Sequence, residues 1–498
     1  MSTDTVRVQL EPLSAVAETP RGATLISALS SHGFEFPCGG TGVCGGCCVR
    51  VLSGTLQVTD SDRTVLSQGE LDGGWRLACQ ARAETPLVLE CGQWEMDVLT
   101  DDTGLAAAGK SGLGIAIDLG TTTIAAQLID LSTGSVLAVE TSLNPQAPFG
   151  SDVMSRVQAA LAGADLTTIV RQALHQMITS LAGRREEEVA EVVLVGNTVM
   201  HHLFCGLSVE PLSQVPFQSP HLGAQCFTPE ELGWALSSSC RIRFERCLGG
   251  FVGSDIFAGI VAVGMHRSED LIALVDLGTN GEIAIGDRRG IVCASTAAGP
   301  AFEAGAIRMG MRAATGAISR VSLSNGAPCA TVIGGGEPRG VCGSGLVDAV
   351  AVGLESGRIL PSGRIADGTK VFPVMDPVVL YQADIRELQL AKGAIASGFR
   401  LLIKRLGTSV GRLASIYLAG AFGNYVQIES SIAIGLMEAP RDLIHAAGNT
   451  ALRGAKIFLL SAEEPPLPEI EHMSLAADPG FQDEYANCMT FPEVETVA

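Results

Sequence analysis

The sequence predicts an α+β multidomain chain, in which a small cysteine-bearing, β-rich domain precedes a larger two-lobed α/β body. Three observations carry that expectation. Cys38, Cys44 and Cys47 follow the spacing C-x5-C-x2-C, and Cys79 comes 32 positions later. Asp118-Leu-Gly-Thr and Asp276-Leu-Gly-Thr stand 158 residues apart, and each closes one apolar, strand-like run and opens another. The length of 498 residues is enough for two or three domains with cores of their own.

The first 92 residues supply the cysteine domain. Thr5-Val-Arg-Val-Gln-Leu alternates like a strand, and Ala23-Thr-Leu-Ile-Ser-Ala-Leu-Ser-Ser-His has the apolar spacing of a helix. The cysteine loop follows, then the strand Cys48-Val-Arg-Val-Leu-Ser, and Trp75-Arg-Leu-Ala-Cys79 returns the last cysteine. Four thiolates converging on two irons need a backbone that curls tightly around the cluster, and Gly39, Gly40, Gly42, Gly45 and Gly46 supply that freedom. Cys38, Cys44, Cys47 and Cys79 are therefore read as ligands of a [2Fe-2S] cluster; a zinc site would want two CxxC knuckles. The order of strand, helix, Gly/Cys loop, strand and late cysteine resembles a plant- or adrenodoxin-type ferredoxin, which implies a β-grasp fold. Cys48 and Cys91 fall outside the pattern and read as small buried hydrophobes.

Residues 93–112 are small, polar and without period, and read as a linker. The body is then expected as a first lobe over 113–270 and a second over 271–498 with a C-terminal tail. No run of about 18 apolar residues and no basic-then-apolar leader appears, so neither membrane span nor signal peptide is expected, and the location is expected to be cytoplasmic. Fourteen cysteines in that compartment read as ligands and reduced thiols. Lys plus Arg number 33 against 53 Asp plus Glu, a net charge of −20, which argues against nucleic acid and suits docking to a basic patch on a partner protein.

The internal repeat carries the chemistry of the body. Gly114-Ile-Ala-Ile-Asp118 and Ile272-Ala-Leu-Val-Asp276 each lead into a tight turn and two more strands, which predicts two lobes that each open with a three-stranded antiparallel meander. Gly120 and Gly278 let backbone N–H groups approach phosphate oxygens, and the side chains of Thr121, Thr122, Thr279 and Asn280 add donors. Asp118 and Asp276, at the strand ends, are placed to hold Mg²⁺ through water or to orient an attacking water. Two such turns facing one another across a cleft would clasp the phosphates of ATP.

Later turns extend this reading. Ser415-Ile-Tyr-Leu-Ala ends in Gly420-Ala-Phe-Gly423, glycines against which an adenosine can lie. Gly343, Ser344 and Gly345 precede a helix and read either as a structural strand-to-helix turn or as a nucleotide contact at a helix N-terminus. This order of turns resembles the ATPase fold shared by sugar kinases, Hsp70 chaperones and actin. On that resemblance Ala190–Thr198 would cross between lobes. His201 and His202 are adjacent without accompanying metal ligands and read as packing or surface; Arg184–Glu188 reads as a solvated helix face and Gly334–Gly336 as a surface hairpin. The tail from Ser461 reads as leaving the last strand, with Phe481 and Phe491 pinning it to the body.

Taken together, the cysteine loop, both Asp-Leu-Gly-Thr turns, Val341-Cys-Gly-Ser-Gly-Leu, Asp384-Ile-Arg-Glu-Leu-Gln-Leu-Ala-Lys392-Gly-Ala-Ile and Leu418-Ala-Gly-Ala-Phe-Gly-Asn resemble the reductive activators of corrinoid proteins over nearly the whole chain. The resemblance implies ATP-dependent return of cob(II)alamin in a methyl-transferring corrinoid protein to cob(I)alamin, one electron at a time. It implies a corrinoid-protein partner and an upstream low-potential electron donor, with a homodimer among the open assemblies. Longer members carry an extra middle domain after the ferredoxin, whereas here Asp118 follows almost at once. Lys392 faces either nucleotide or solvent on this reading. The alternatives are a small-molecule kinase, or an Hsp70-like ATPase with a redox-sensing ferredoxin domain.

Overall fold

The computed structural model describes residues 4–493, apart from 12–14, 31–35, 37–39, 43–46, 67, 92–108, 151, 279, 315, 325–326 and 463–464. Its N-terminal module is a five-stranded sheet in the order Ala15–Pro20, Thr5–Glu11, Leu87–Cys91, Cys48–Ser53, Trp75–Leu77. The first strand buries alternate residues, Val6, Val8 and Leu10, as its period-2 pattern requires. It pairs parallel with Leu87–Cys91, so first and last strands lie side by side at the middle of the sheet. The helix described over Ile26–Ser30 covers one face. Thr59 caps the helix Asp60–Val65 in a capping box with Asp62, whose other carboxylate oxygen accepts from Leu77 N at 2.7 Å. That bond ties the helix to the strand leading into Cys79.

The remainder carries two six-stranded sheets of the same plan. In the first, strands run Gln225–Phe227, Arg241–Phe244, Val189–Gly196, Leu113–Leu119, Thr123–Asp130, Val136–Leu143. In the second they run Ile444–Gly448, Ser415–Ala419, Ile272–Leu277, Gly281–Asp287, Gly290–Thr296, Ile470–His472. Each has the antiparallel meander on one side of its Asp-bearing strand and a parallel neighbour on the other. The Asp-bearing strands are buried almost throughout, because helices cover both faces, and this is why they read as unbroken apolar runs.

Helices Ser254–Ala262 and Thr450–Leu460 pack closely together and against the first sheet. A Cβ on Gly454 would lie 2.2 Å from the Ala258 carbonyl oxygen, so the glycine sets how closely the two helices approach. The Phe257 and Phe458 rings stack beside them at 4.9 Å.

Several sequence expectations change. Val189–Gly196 is an interior strand of the first sheet, paired parallel on both sides, and does not cross between sheets. The tail leaves from the helix Thr450–Leu460 rather than from a strand. Gly334–Gly336 is an exposed turn on a connection into Gly340–Val341. Lys392 faces neither nucleotide nor solvent: it is 2% exposed, donates to Thr490 O at 2.7 Å and lies over the Phe491 ring, and burial pulls its pKa down to about 8. Phe491, buried, holds the tail against the body as expected, with Phe481 packed on the same core. His201 and His202 are fully buried, and the His202 ring bonds to Thr198 O and Ser219 Oγ, so both are packing residues. Among the described residues no helix is long and apolar enough to cross a membrane.

Candidate nucleotide cleft and cluster site

Of the four cysteines read as cluster ligands, Cys47 and Cys79 lie in the core of the first module at 1% and 2% exposure, while Cys38 and Cys44 fall outside the described residues. Ala78 N donates to Cys47 O at 3.0 Å, which joins the two ligand segments. Gln80 Nε2 donates to Gly40 O at 2.6 Å and approaches Cys79 Sγ at 3.6 Å. Gly40 and Gly42 have φ of 84° and 78°. A Cβ on Gly42 would come within 2.9 Å of Gln80 Cγ and Ser61 Oγ, so the loop passes too close to the Cys79 segment for any side chain there. Two buried thiols, with Gly40 close to Cys79, fit a thiolate-held cluster. Cys48, beside them, is half-buried on its strand and packs on the apolar core.

Between the two sheets lies a cleft lined by the turns that the sequence singled out. Asp118, Gly120, Thr121 and Thr122 face it from the first sheet; Asp276, Gly278, Asn280 and Gly420 face it from the strand ends of the second, and Gly343 and Ser344 from the start of the helix Gly343–Glu355. Gly420 has φ of 79°, and a Cβ there would sit 2.5 Å from Asp276 Oδ1, so the glycine lets the strand-to-helix turn close over the carboxylate. Gly343 begins the helix Gly343–Glu355, whose N-terminus has no side-chain cap. Its first-turn N–H groups are open to an anion. The Ser344 hydroxyl donates to Ser319 O at 2.9 Å. Gly345 and Gly423 are not among the lining residues. A Cβ on Gly345 would meet Ile318 O at 2.1 Å, and Gly423 packs on Leu418, so both serve helix packing. Thr279 lies outside the described residues.

Two carboxylates that the sequence did not single out share the cleft. Asp255 opens the helix Ser254–Ala262 and accepts from Ile256 N at 2.8 Å; Glu282 lies on the strand Gly281–Asp287 and is 7% exposed. The signal for Glu282 was a charge inside an otherwise apolar strand, at the place where the first repeat has Ile124. Asn449 was also missed. It caps the helix Thr450–Leu460 through Leu452 N and donates to Asp118 Oδ2 at 2.9 Å, and Gly448-Asn449-Thr450 carries the ordinary N-cap signal.

Burial dominates the electrostatics. Asp118 and Asp276 keep some accessible surface because they look into the cleft, yet little solvent surrounds them. Burial raises Asp118 to about 6, against the opposing bond from Asn449. Burial and then the nearby Asp118 raise Asp276 to about 7. Asp255 and Glu282 are pushed upward by burial first and by neighbouring carboxylates second. Among the described residues no three His, Cys, Asp or Glu side chains are gathered closely enough to hold a metal ion unaided.

The first module meets the body at the cleft. Phe36, two residues before Cys38, is 1% exposed and lines the same cleft as Asp118 and Asp276. Helix Ile26–Ser30 packs against the turn Ala147–Phe149, and Glu90 of the first module pairs with Arg339 at 2.6 Å.

Comparison with known proteins matches three family models in order: "2Fe-2S iron-sulfur cluster binding domain" over residues 8–84, "RACo middle region" over 113–268, and "C-terminal domain of RACo the ASKHA domain" over 270–497. The middle-region model falls on the segment that holds the first Asp-Leu-Gly-Thr turn. The corrinoid activation enzyme RamQ of Eubacterium limosum is 34% identical over 411 residues, 75% of this chain and 69% of that protein. The [Co(II) methylated amine-specific corrinoid protein] reductase of Methanosarcina barkeri is 26% identical over 426 residues, 75% and 76% of the two chains. A solved reductive activator for corrinoid, iron-sulfur protein superposes with a TM-score of 0.65 at 26% identity, covering 98% of each chain.

Proposed function

Because this chain belongs to the family of reductive activators of corrinoid proteins, we propose that it couples ATP hydrolysis in the cleft to one-electron reduction of a partner's cob(II)alamin to cob(I)alamin. The observation that carries this reading is the junction. The residue next to the cluster loop, Phe36, lines the cleft that holds the phosphate-turn glycines and the buried carboxylates.

A [2Fe-2S] cluster supplies a one-electron store at about −400 mV. Cys38, Cys44, Cys47 and Cys79 would hold it, and Cys47 and Cys79 are buried in the core of the first module. The cobalt(II/I) couple lies lower still, and each 59 mV uphill costs about tenfold in the one-electron equilibrium. Nucleotide can offset that only by binding two states of the protein differently. The cleft has parts that can do so. Gly120, Thr121, Thr122, Gly278 and Asn280 would grip phosphates, with Thr279 of the same turn. The N-terminus at Gly343 and the turn at Gly420 would take the nucleoside end. Asp118 and Asp276 would position Mg²⁺ and the attacking water. A phosphate-dependent shift of either lobe reaches Phe36 and the Glu90–Arg339 pair, and so reaches the cluster module. The partners are a corrinoid protein and an upstream low-potential donor in the cytoplasm, and the net charge of −20 suits docking to basic patches.

The raised carboxylates give a pH prediction. A carboxyl whose folded pKa exceeds its unfolded value near 4 binds its proton more tightly in the folded state, so its stabilising contribution is present below about 4 and is lost as pH rises through the folded value. For Asp118 and Asp276 that loss spans pH 4 to about 7. Mg²⁺ bound at this site neutralises them once ionised, so the rise in thermal midpoint on adding Mg-ATP is expected to be larger at pH 8 than at pH 6. Equal shifts, or a larger one at pH 6, would count against a cation at these carboxylates.

The reading is tested by anaerobic absorbance of a cob(II)alamin-loaded corrinoid protein mixed with this protein and a low-potential reductant. Cob(I)alamin should grow with Mg-ATP and stay at background without it. Growth independent of nucleotide, or none with an intact cluster and active ATPase, would refute it.

A further inference from the structure

We propose that Arg156 contacts the terminal phosphate of a nucleoside triphosphate in the cleft, a role that rests on the nucleotide reading above. Arg156 lies on the helix Val153–Leu161 and is 0% exposed, yet it borders the cleft. Every hydrogen bond it makes among the described residues goes to a neutral acceptor: Nε to Gly150 O at 3.1 Å, Nη1 to Gln146 Oε1 at 3.3 Å and to Met200 Sδ at 3.5 Å. Nη2 donates to nothing among the described residues. Arginine is almost never fully buried without an anionic partner, because removing the charge from water costs several kcal/mol that neutral acceptors recover only in part.

The nearby carboxylates do not fill that place. Asp152 reaches Arg156 through space but is bound to Ser155 N and Ser155 Oγ as the cap of the same helix. Glu303, also at the cleft, pulls on Arg156 through space. Burial lowers the guanidinium pKa to about 10, and the through-space pull of Asp152 and Glu303 offsets that only in part. An arriving phosphate supplies the missing anion.

The guanidinium is held in register with the first phosphate turn. Asn144 Nδ2 donates to Gly120 O at 2.8 Å, Asn144 Oδ1 accepts from Gln146 N at 3.0 Å, and Gln146 in turn accepts from Arg156. Asn144 and Gln146 are both fully buried, so this is a rigid chain from the Gly120 backbone to the guanidinium. With the nucleoside end at the helix starts Gly343 and Gly420, the far end of the phosphate chain falls on the side of the first sheet, on which the helix carrying Arg156 packs. Its planar fork suits two phosphate oxygens at once.

The test uses the full, cluster-loaded chain and calorimetric binding of Mg-AMP-PNP and Mg-ADP. Arg156→Gln is expected to weaken the triphosphate analogue about 10- to 100-fold and the diphosphate less than about threefold, with cluster absorbance and thermal midpoint retained. A merely structural arginine would lower both affinities together, and that result, or no change in either, overturns the proposal. If the Gln variant does not fold, Arg156→Lys decides, because it keeps the charge and removes the fork. A loss confined to the triphosphate supports the contact; an equal loss or none overturns it. Failure of the unaltered protein to bind either nucleotide refutes the nucleotide reading itself, and this contact with it.

Discussion

Asp276→Asn is expected to remove ATP-driven cobalt reduction while leaving the cluster module intact. The change is isosteric, so the strand Ile272–Leu277 and the close approach of Gly420 are kept. What is lost is a negative charge at the floor of the cleft, where it would hold Mg²⁺ or align water. Deleting one preorganised electrostatic group of this kind costs about 10²–10³ in kcat, so ATP hydrolysis and cob(I)alamin formation should fall together by that factor. Stability should move the other way. Burial and the neighbouring Asp118 raise the Asp276 pKa to about 7, which means that its ionised form is disfavoured in the folded chain. Without Mg²⁺ at pH 8 the variant should melt no lower than the parent. Steady-state ATPase and a thermal scan check this together: an active variant would remove Asp276 from the chemistry, and an inactive but destabilised one would remove the electrostatic explanation.

Cys47→Ser should produce the complementary phenotype. Cys47 is buried in the core of the first module, joined through its carbonyl to the segment carrying Cys79. Loss of one of four thiolates should abolish the visible ferredoxin-type absorbance and bring cobalt reduction to background. Apart from Phe36 the cleft is lined by residues outside the first module, so Mg-ATP affinity should change by less than about threefold. A variant that keeps both absorbance and reduction would take Cys47 out of the ligand set. Cys79→Ser should match it.

The particular residues show how far the sequence could be read. Cysteine spacing identified the cluster module because four convergent thiolates leave few alternatives. The two meanders were legible because a duplicated strand-turn-strand signal is hard to produce by chance, and both sheets carry it at the same place. Gly420 was legible as a turn glycine, but its close approach to Asp276 Oδ1 depends on a parallel pairing of strands whose partners are 143 residues apart. Asp255 and Asn449 reach the cleft through helix placement, which local pattern does not report, whereas Glu282 lies directly opposite Asp276 on the next strand of the same hairpin. Gly345 and Gly423, outside the cleft lining, show the converse case. A glycine can be required because a neighbouring backbone or side chain packs against its Cα, and sequence alone does not separate that need from ligand contact. Lys392 lay in a family-specific stretch that invited a nucleotide role, yet its partner is the carbonyl of Thr490 in the tail. Arg156 gave no signal in the sequence. Its meaning comes from full burial among neutral acceptors, which appears only when helix Val153–Leu161 is docked against Gln146 and Met200.

The central claim is that the cluster module and the nucleotide cleft act as one device on cobalt. The most direct measurement is a single turnover: the cluster is reduced, excess reductant is removed, and the protein is mixed under anaerobic conditions with a cob(II)alamin-loaded corrinoid protein, with or without Mg-ATP. The account predicts that cluster absorbance recovers and cob(I)alamin appears at the same rate, one per cluster, only when Mg-ATP is present. Cob(I)alamin formed without cluster reoxidation, or at the same rate without nucleotide, would contradict it.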